Sequence, residues 1–262
     1  MAIYSPIDVL NCTTMRFAVL DYTVSDVLTP AEAAALNQLL PQLKNKAILD
    51  LGVGAGRTVA ALTSIADSYV GVDYVPEMVA HCRTRFPAVQ FEQSDARAMP
   101  QFSDQSFDLI VFSCNGICMV DHAGRLAILS EVRRLLRPGG FFMFSTYNRN
   151  SKEHNMVFRL PHFRFSANPV RLLVRSARFV GNTLIRAVNR LRYKRHEVHH
   201  ADYSILNDQC HNYQTLLYYI DIEGQKRQLQ QAGFMGEVAI FDRYGMPASA
   251  EITEDMLLYL VS

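Results

Sequence analysis

The sequence lacks the features that mark disulfide-bonded, zinc-binding or membrane-spanning proteins. Its five cysteines are odd in number and scattered, and no two of them form a CxxC pair. Neither a disulfide framework nor a zinc knuckle is therefore predicted. No run of 18 apolar residues occurs, and Asp8 interrupts the stretch in which a signal peptide needs an unbroken apolar core. We expect a reduced, cytoplasmic protein.

The chain also lacks an overall excess of charge, with 26 Lys and Arg against 25 Asp and Glu. This balance hides one strongly basic segment. Between Arg149 and His200, 12 Lys or Arg accompany only two Glu, a net charge of +10, whereas the rest carries 14 Lys or Arg and 23 Asp or Glu, a net charge of −9. The basic segment is expected to have an electrostatic role of its own.

Short apolar runs alternate with helix-like stretches along most of the 262 residues. This alternation predicts a doubly wound parallel sheet with helices on both faces. The predicted strands are 47–51, 69–73, 89–92, 107–112, 141–145, 236–241 and 256–261.

The predicted elements divide the chain into four parts. Residues 1–45 form a helical lid, in which one helix begins with Thr29 as N-cap and Pro30 at its first position. Residues 46–147 form the core and residues 219–262 complete its sheet. The segment 148–218 is too long for a plain crossover, so we expect an inserted helical cap.

The glycine turn Asp50–Gly56 follows the first predicted strand and precedes a helix. Its spacing is GxGxG, and Arg57 stands where a dinucleotide fingerprint places its third glycine. An acid at the end of the strand repels a pyrophosphate but suits a cationic ligand that carries an amino group. The turn therefore favours S-adenosylmethionine (SAM) over a nicotinamide cofactor.

Polar residues follow four of the predicted strands, and ligands of such sheets bind beyond the carboxyl ends of the strands. Asp73 comes about 20 residues after the glycines, where a carboxylate can accept both hydroxyls of a ribose. The residues expected to converge on this rim are Asp50, Asp73, Asp95 and Ser113 to Asn115.

Five motifs in this order and spacing resemble those of the class I SAM-dependent methyltransferases of the small-molecule type: ILDLGVGAG, VGVDYVPEM, SDARAMP, FDLIVFSCN and LLRPGGFFMFST. The resemblance covers about 46–147 clearly and 219–262 more loosely. It implies a Rossmann-like, mostly parallel seven-stranded sheet with an antiparallel last strand, and SAM as cofactor. The cofactor-binding residues that it implies are Asp50, Gly52, Gly54, Asp73, Tyr74, Met78, Asp95, Ala96 and Ser113.

The same resemblance implies roles for several of these residues. Asp95 accepts a hydrogen bond from the adenine amine, and the Ala96 amide meets a ring nitrogen. Tyr74 and Met78 flank the adenine, although Met78 equally fits a plain packing role. Asp50 offers negative charge to the ammonium group of the cofactor through a water molecule.

The catalytic groups are harder to predict, because methyl transfer depends mainly on alignment and the exclusion of water. Histidines where the cap returns to the core are candidate bases, since a neutral imidazole accepts a proton near pH 7. The candidate catalytic residues are His200, His211, Tyr203 and Asn115, and the expected substrate pocket contains Tyr147 and Tyr213. The pair His199-His200 has no third ligand at suitable spacing, so no metal is expected.

The cap contains an amphipathic stretch at 168–195. Its apolar stripe consists of Leu173, Ala177, Val180, Leu184, Val188 and Leu191. The plainest interpretation is a helix with a buried apolar side and a solvated basic face. A funnel for an anionic substrate is a second interpretation. Docking on nucleic acid or an acidic membrane ranks below both, because no known nucleic-acid module accompanies the charge.

We therefore expect an enzyme that transfers the SAM methyl group to nitrogen, oxygen or carbon of a small molecule by in-line displacement. Two alternatives stay open. SAM is itself the substrate in the first, for example with azetidine-2-carboxylate and methylthioadenosine as products. The second is a non-enzymatic docking module with a SAM fold. The sequence predicts neither the acceptor nor the oligomeric state.

Overall fold

The computed structural model describes residues 5–22, 26–42, 46–152, 154, 158–249 and 251–262. Parts of the predicted lid (1–4, 23–25 and 43–45) and of the predicted cap (153 and 155–157) lie outside the described residues.

Helices and strands alternate through the described core, as the sequence predicts. The α-helices are α1 (Pro6–Phe17), α2 (Pro30–Leu39), α3 (Val59–Thr63), α4 (Pro76–Arg85), α5 (His122–Leu135), α6 (Pro169–Tyr193) and α7 (Ile222–Gln231). The strands are β1 (Ala47–Leu51), β2 (Ser68–Asp73), β3 (Gln90–Gln93), β4 (Phe107–Phe112), β5 (Leu136–Asn148), β6 (Val198–His199), β7 (Tyr203–Asp208), β8 (Thr215–Ile220), β9 (Val238–Phe241) and β10 (Met256–Val261).

The doubly wound sheet is confirmed. Seven strands run in the order β3-β2-β1-β4-β5-β10-β9, and the first five are parallel to one another. Strand β10 is antiparallel to both β5 and β9. Because β1, β2 and β4 are parallel, their carboxyl ends meet at one rim of the sheet.

The cap is not purely helical, which corrects the sequence prediction. Besides α6 it contains an antiparallel unit of β6, β7 and β8. Strand β8 pairs in parallel with the end of β5 at Tyr147 and Asn148, so this unit is continuous with the core sheet. The runs YSILND and TLLYYI have the β-branched and aromatic residues typical of strands. The predicted cap boundary at 218 falls within β8, which ends at Ile220.

The lid helices start at the capping signals in the sequence. Thr29 accepts a hydrogen bond from the Glu32 amide, and Glu32 accepts one from the Thr29 amide. Helix α1 is fastened to the core by Asn11, which is fully buried. Its side-chain amide donates to the carbonyl oxygens of Met119 and Leu216 at 2.7 and 2.8 Å. The lid therefore lies over the carboxyl rim of the sheet.

Arg125 on α5 is fully buried and joins several elements behind this rim. Its guanidinium donates to Thr146 Oγ1 and to the Ile117 carbonyl oxygen, both at 3.1 Å. It also donates to side chains of α7 and lies over the ring of Tyr218, 4.6 Å from the centroid. These bonds fix the end of β5 relative to the turn that follows β4.

Candidate functional site

A cavity of about 290 Å³ opens at the carboxyl ends of β1, β2 and β4. We call it the rim cavity. Eight of the nine cofactor-binding residues expected from the sequence line it: Gly52, Gly54, Asp73, Tyr74, Met78, Asp95, Ala96 and Ser113. Asp8 and Met15 of α1 complete the wall. The lid and the strand ends therefore share one site.

The glycine turn provides a floor that side chains would obstruct. Gly52 has a φ of +59°, and a Cβ there would lie 2.6 Å from a ring carbon of Phe112. Gly54 has a φ of +56°, and its amide donates to Asp73 Oδ2 at 2.9 Å. Glycine adopts these left-handed conformations without steric cost, so the backbone can approach a ligand closely.

Asp73 is held at the end of β2 with its carboxylate at the cavity wall. It accepts hydrogen bonds from the amides of Gly54 and Val75, both at 2.9 Å. Burial raises the pKa of Asp73 to about 6, against the opposing effect of these amide hydrogen bonds. At neutral pH the carboxylate is therefore ionised and has further lone pairs for ligand hydroxyls.

Asp50 is the one expected cofactor-binding residue that does not line the rim cavity, so its side chain makes no direct contact there. The side chain is fully buried, and Oδ2 accepts from Thr58 Oγ1 at 2.5 Å and from Tyr69 Oη at 2.8 Å. Burial raises the pKa of Asp50 to about 6, while the two hydroxyls oppose this rise. Asp50 stabilises the turn from behind because alternate side chains of β1 point to opposite faces of the sheet.

The raised pKa of Asp50 predicts a pH-dependent contribution to stability. Because the pKa is higher in the folded than in the unfolded chain, protonation favours folding, and this contribution is lost as pH rises through about 6. Relative to Asp50→Asn, the wild type should lose about 2 kcal/mol of unfolding free energy between about pH 4 and about pH 7. Urea unfolding of both proteins across this range measures the difference, and parallel pH profiles would contradict the assignment.

Asp95 is part of an ion-pair network that the sequence did not reveal. Arg97 pairs with Asp95 through Nη2 at 2.6 Å and with Asp8 of α1 through Nη1 at 2.7 Å. All three side chains line the rim cavity. Separately from this network, and among the described residues, Tyr74 Oη is a buried atom of the cavity wall without a hydrogen-bond partner. Asp8 forms a capping box with Ser5 at the start of α1. This position was the available sequence signal for the network, because the partner Arg97 is 89 residues away.

Arg57 connects the glycine turn to the lid. Its guanidinium forms a bidentate pair with Glu32 of α2, at 2.8 Å from Oε2 and 2.6 Å from Oε1. It also donates to Ser113 Oγ at 3.2 Å. The residue that replaces the third glycine of a dinucleotide fingerprint is therefore already paired with a carboxylate and does not offer a free charge to a pyrophosphate.

Removing the charge of Glu32 should loosen the lid. Glu32→Gln keeps the cap acceptor of α2 but leaves the mostly buried Arg57 without a counter-charge. We expect a loss of about 2 kcal/mol in unfolding free energy, at the low end for a buried pair because Arg57 is partly exposed. Arg57→Met in the same chain should restore part of it. Urea unfolding tests this, and a double variant no more stable than Glu32→Gln would contradict it.

A second cavity, of about 320 Å³, lies between the cap and the end of β5. We call it the cap cavity. Both residues of the expected substrate pocket, Tyr147 and Tyr213, line it. Its other polar walls are His154, Arg159, Arg190, Lys194, Glu197, His199, Asn207, Asp208, Gln209, Cys210, Tyr219 and Asp255.

A hydrogen bond joins Asn115 to Tyr147 and so links the surroundings of the two cavities. Asn115 lies between Cys114 and Gly116, which line the rim cavity, whereas Tyr147 lines the cap cavity. Burial raises the pKa of Tyr147 well above its usual value, and a hydrogen bond from Asn115 opposes this rise only in part. Tyr147 is therefore a neutral phenol. Asn115 has a φ of +59°, and its amide donates to Ser145 Oγ at 2.7 Å, so a strained turn fixes its position.

Asp208 is one of three carboxylates that line the cap cavity, with Glu197 and Asp255, and the sequence analysis did not predict its role. Oδ2 accepts from Tyr219 Oη at 2.6 Å, and Oδ1 accepts from the Cys210 amide at 2.7 Å. Burial and the charge of Asp208 raise the pKa of Tyr219. The alternation along β7 was the available signal, because it places Asp208 on the same side as Ser204, which bonds to His154 of the cavity wall at 2.8 Å.

His200 and Tyr203 lie away from both cavities, which removes them from the candidate catalytic residues. Tyr203 stacks on His122 at 4.2 Å and on Tyr218 at 4.9 Å, on the α5 side of β7. His200 stacks on the outer face of Tyr203 at 4.8 Å, and its side chain is 53% exposed. One residue along a strand reverses the side-chain direction, so Tyr203 faces away from the cavity that its neighbour Ser204 approaches.

His211 lies at the junction of lid and cap. Its Nε2 is 3.2 Å from Tyr22 Oη, and Tyr22 lines the rim cavity. Its neighbours Cys210 and Tyr213 contribute to the cap cavity. Residues 211–213 all have positive φ, so this junction is conformationally strained. His211 therefore remains a candidate, whereas among the described residues no group of three or more His, Cys, Asp or Glu side chains could hold a metal ion.

Comparison with known proteins agrees with this geometry. Residues 48–140 match the family model described as a methyltransferase domain. A probable S-adenosylmethionine-dependent methyltransferase of Mycolicibacterium smegmatis is 34% identical over 103 residues, 39% of this chain and 38% of the relative. A demethylmenaquinone methyltransferase of Chlorobaculum parvum is 34% identical over 94 residues, 36% of this chain and 37% of the relative. The match thus spans about two fifths of these relatives' length.

One solved structure extends the likeness to the whole chain at the level of the fold. The 1,6-didemethyltoxoflavin-N1-methyltransferase of Burkholderia thailandensis, crystallised with its substrate and S-adenosylhomocysteine, superposes with a TM-score of 0.58 and 14% identity. The alignment covers 100% of this chain and 91% of that protein. Over residues 48–140 the chain is therefore similar to SAM-dependent methyltransferases, and over its whole length it shares the fold of a methyltransferase.

Proposed function

We propose that the protein transfers the methyl group of SAM, bound in the rim cavity, to a small-molecule acceptor bound in the cap cavity. The observation that carries the proposal is the contact between the turn at the rim cavity and β5: the Asn115 amide donates to Ser145 Oγ at 2.7 Å, two residues before Tyr147 of the cap cavity. This arrangement supplies an acceptor site next to the place where the methionine part of the cofactor lies in this fold. Names of relatives such as the demethylmenaquinone and toxoflavin enzymes agree with a small acceptor.

The charges of the rim cavity fit SAM better than a phosphate-bearing cofactor. Its two arginines, Arg57 and Arg97, are paired with Glu32 and with Asp8 and Asp95. Counting Asp73, four carboxylates accompany two guanidinium groups. A net negative wall favours a ligand with sulfonium and ammonium groups and disfavours a pyrophosphate. Tyr74 Oη, which lacks a partner among the described residues, offers a further polar contact.

When bound, SAM supplies a methyl carbon on a positively charged sulfur, which accepts the electron pair of the broken bond. The chain's own residues bind, orient and exclude water. Asp73 accepts the ribose hydroxyls, and the glycine turn admits the methionine part. Asn115 and Tyr147 align the acceptor through hydrogen bonds. Asp208 takes the proton from an acceptor atom that must lose one.

Product analysis tests this proposal. Purified protein is incubated with SAM alone and with SAM plus sets of small phenols, quinols, amines and carboxylates, and the products are identified by mass spectrometry. We expect S-adenosylhomocysteine and a product heavier by one methyl group, only when an acceptor is present. Catalytic release of methylthioadenosine from SAM alone would instead contradict methyl transfer. The Asn115→Ala variant separates catalysis from cofactor binding, because its turnover should fall while its affinity for SAM persists.

A further inference from the structure

Helix α6 presents an apolar face to solvent, contrary to the expectation that this side would be buried. None of its 25 residues is buried. Leu173, Leu184 and Leu191 are 71%, 61% and 80% exposed. Of the 20 large apolar side chains that are exposed among the described residues, 12 lie between Phe158 and Leu191. Isolated exposed apolar residues are ordinary, but a continuous face of this kind marks an interaction surface.

The apolar face is accompanied by cations and no anions. Helix α6 contains six arginines and no Asp or Glu. At 100° per residue, Arg192, Arg178 and Arg171 follow one edge of the apolar stripe, at about 40°, 80° and 100° from Val188. No salt bridge among the described residues joins these three to an acid, in contrast to Arg190, which pairs with Glu197. The flanking charges are therefore available to an external partner.

The geometry points to an anionic lipid surface as this partner: we propose that α6 is an interfacial helix that lies in the plane of such a surface. An apolar face flanked by arginines on a helix of low overall hydrophobicity is the pattern of helices that insert into the headgroup region. None of the described helices has the length and apolar character needed to span a bilayer. Helix α6 would lie on the surface instead of crossing it.

Charge complementarity favours lipid over a second copy of the chain. Two α6 helices packed face to face would bring their flanking arginines together without acids to pair them. An anionic surface attracts the segment from Arg149 to His200, with a net charge of +10, and repels the remainder, with a net charge of −9. The protein would therefore approach the surface in one orientation.

Vesicle binding by the full chain tests the proposal. We expect sedimentation with vesicles of phosphatidylcholine mixed with phosphatidylglycerol, and little with phosphatidylcholine alone. An apolar variant (Leu173→Gln, Leu184→Gln and Leu191→Gln together) should bind at least about tenfold more weakly. A basic variant (Arg171→Gln, Arg178→Gln and Arg192→Gln together) should lose about 100-fold. The matched controls Met235→Gln and Arg243→Gln, on exposed residues outside the cap, should bind as the wild type does.

The absence of tryptophan provides a direct measure of insertion. Leu184→Trp introduces a single fluorophore on the apolar face, and its emission should shift to the blue with anionic vesicles. Met235→Trp should not respond. Binding of S-adenosylhomocysteine is measured on every variant and should not change. A loss of vesicle binding with unchanged cofactor binding then concerns the lipid proposal alone and not the proposed function.

Three results would overturn the lipid assignment. The first is equal binding to neutral and anionic vesicles. The second is a Leu184→Trp emission spectrum that does not shift, together with vesicle binding that the basic variant loses and the apolar variant keeps. This result would mean that the charges adsorb to the surface without insertion of the helix, and duplex DNA would then bind in the same way. The third is a dimer in analytical ultracentrifugation that the apolar variant dissociates, because a second copy would then cover the face.

Discussion

Replacing Asp73 with asparagine should reduce the affinity for SAM and S-adenosylhomocysteine about 1,000-fold. The wild-type carboxylate offers charged acceptors to two ribose hydroxyls, and each such bond contributes about 1.5–3 kcal/mol. The asparagine side chain has one acceptor oxygen, which the amides of Gly54 and Val75 already compete for. Isothermal titration with S-adenosylhomocysteine measures the effect.

The pH dependence of binding gives this prediction an internal control. The pKa of Asp73 is raised to about 6, and the hydroxyls require the ionised form. Wild-type affinity should therefore fall about tenfold per pH unit below about 6, whereas the Asp73→Asn variant should lack this dependence. Asp67→Asn removes an exposed carboxylate at the other end of β2 and should bind normally. Normal binding by a folded Asp73→Asn variant would contradict the site.

Asp208→Asn should lower kcat about 1,000-fold for an acceptor that must lose a proton. Asparagine keeps one oxygen that can accept from the Cys210 amide, and its NH2 group can donate to Tyr219 Oη, but it cannot take a proton. General-base catalysis contributes about 10²- to 10⁴-fold. The affinity for S-adenosylhomocysteine should not change, because Asp208 lies in the cap cavity. Steady-state kinetics with the identified acceptor measures the loss.

A matched carboxylate in the cap distinguishes catalysis from local charge. Asp202 is 56% exposed, pairs with Arg227 and lies beside His200, away from both cavities. Asp202→Asn should leave kcat and KM unchanged. Equal losses in the two variants, or an unchanged kcat in Asp208→Asn, would contradict the role assigned to Asp208.

The core sheet and most of the rim could be predicted because both depend on local patterns. Glycines with positive φ, acids at strand ends and apolar runs of fixed length are visible within a few residues. Parallel strands then bring those ends together whatever the loops between them do. Asp73 and Asp95 reach the cavity for this reason, although they are 22 positions apart.

The cap and the ion-pair networks could not be predicted in the same way, because they depend on contacts between distant parts of the chain. Nothing near Arg97 in sequence indicates Asp8, and nothing near Arg57 indicates Glu32. Tyr203 was misassigned because one position along a strand decides which face a side chain meets. The apolar stripe of α6 was correctly recognised as a stripe, but periodicity does not reveal whether a partner within the chain covers it.

A crystal structure of the protein with S-adenosylhomocysteine tests the central claim most directly. We expect the adenosine in the rim cavity with its ribose hydroxyls on Asp73, and the sulfur directed towards Asn115 and Tyr147 with the cap cavity beyond. Binding elsewhere, or a sulfur that faces away from Asn115 and Tyr147, would contradict the proposal that the two cavities hold cofactor and acceptor.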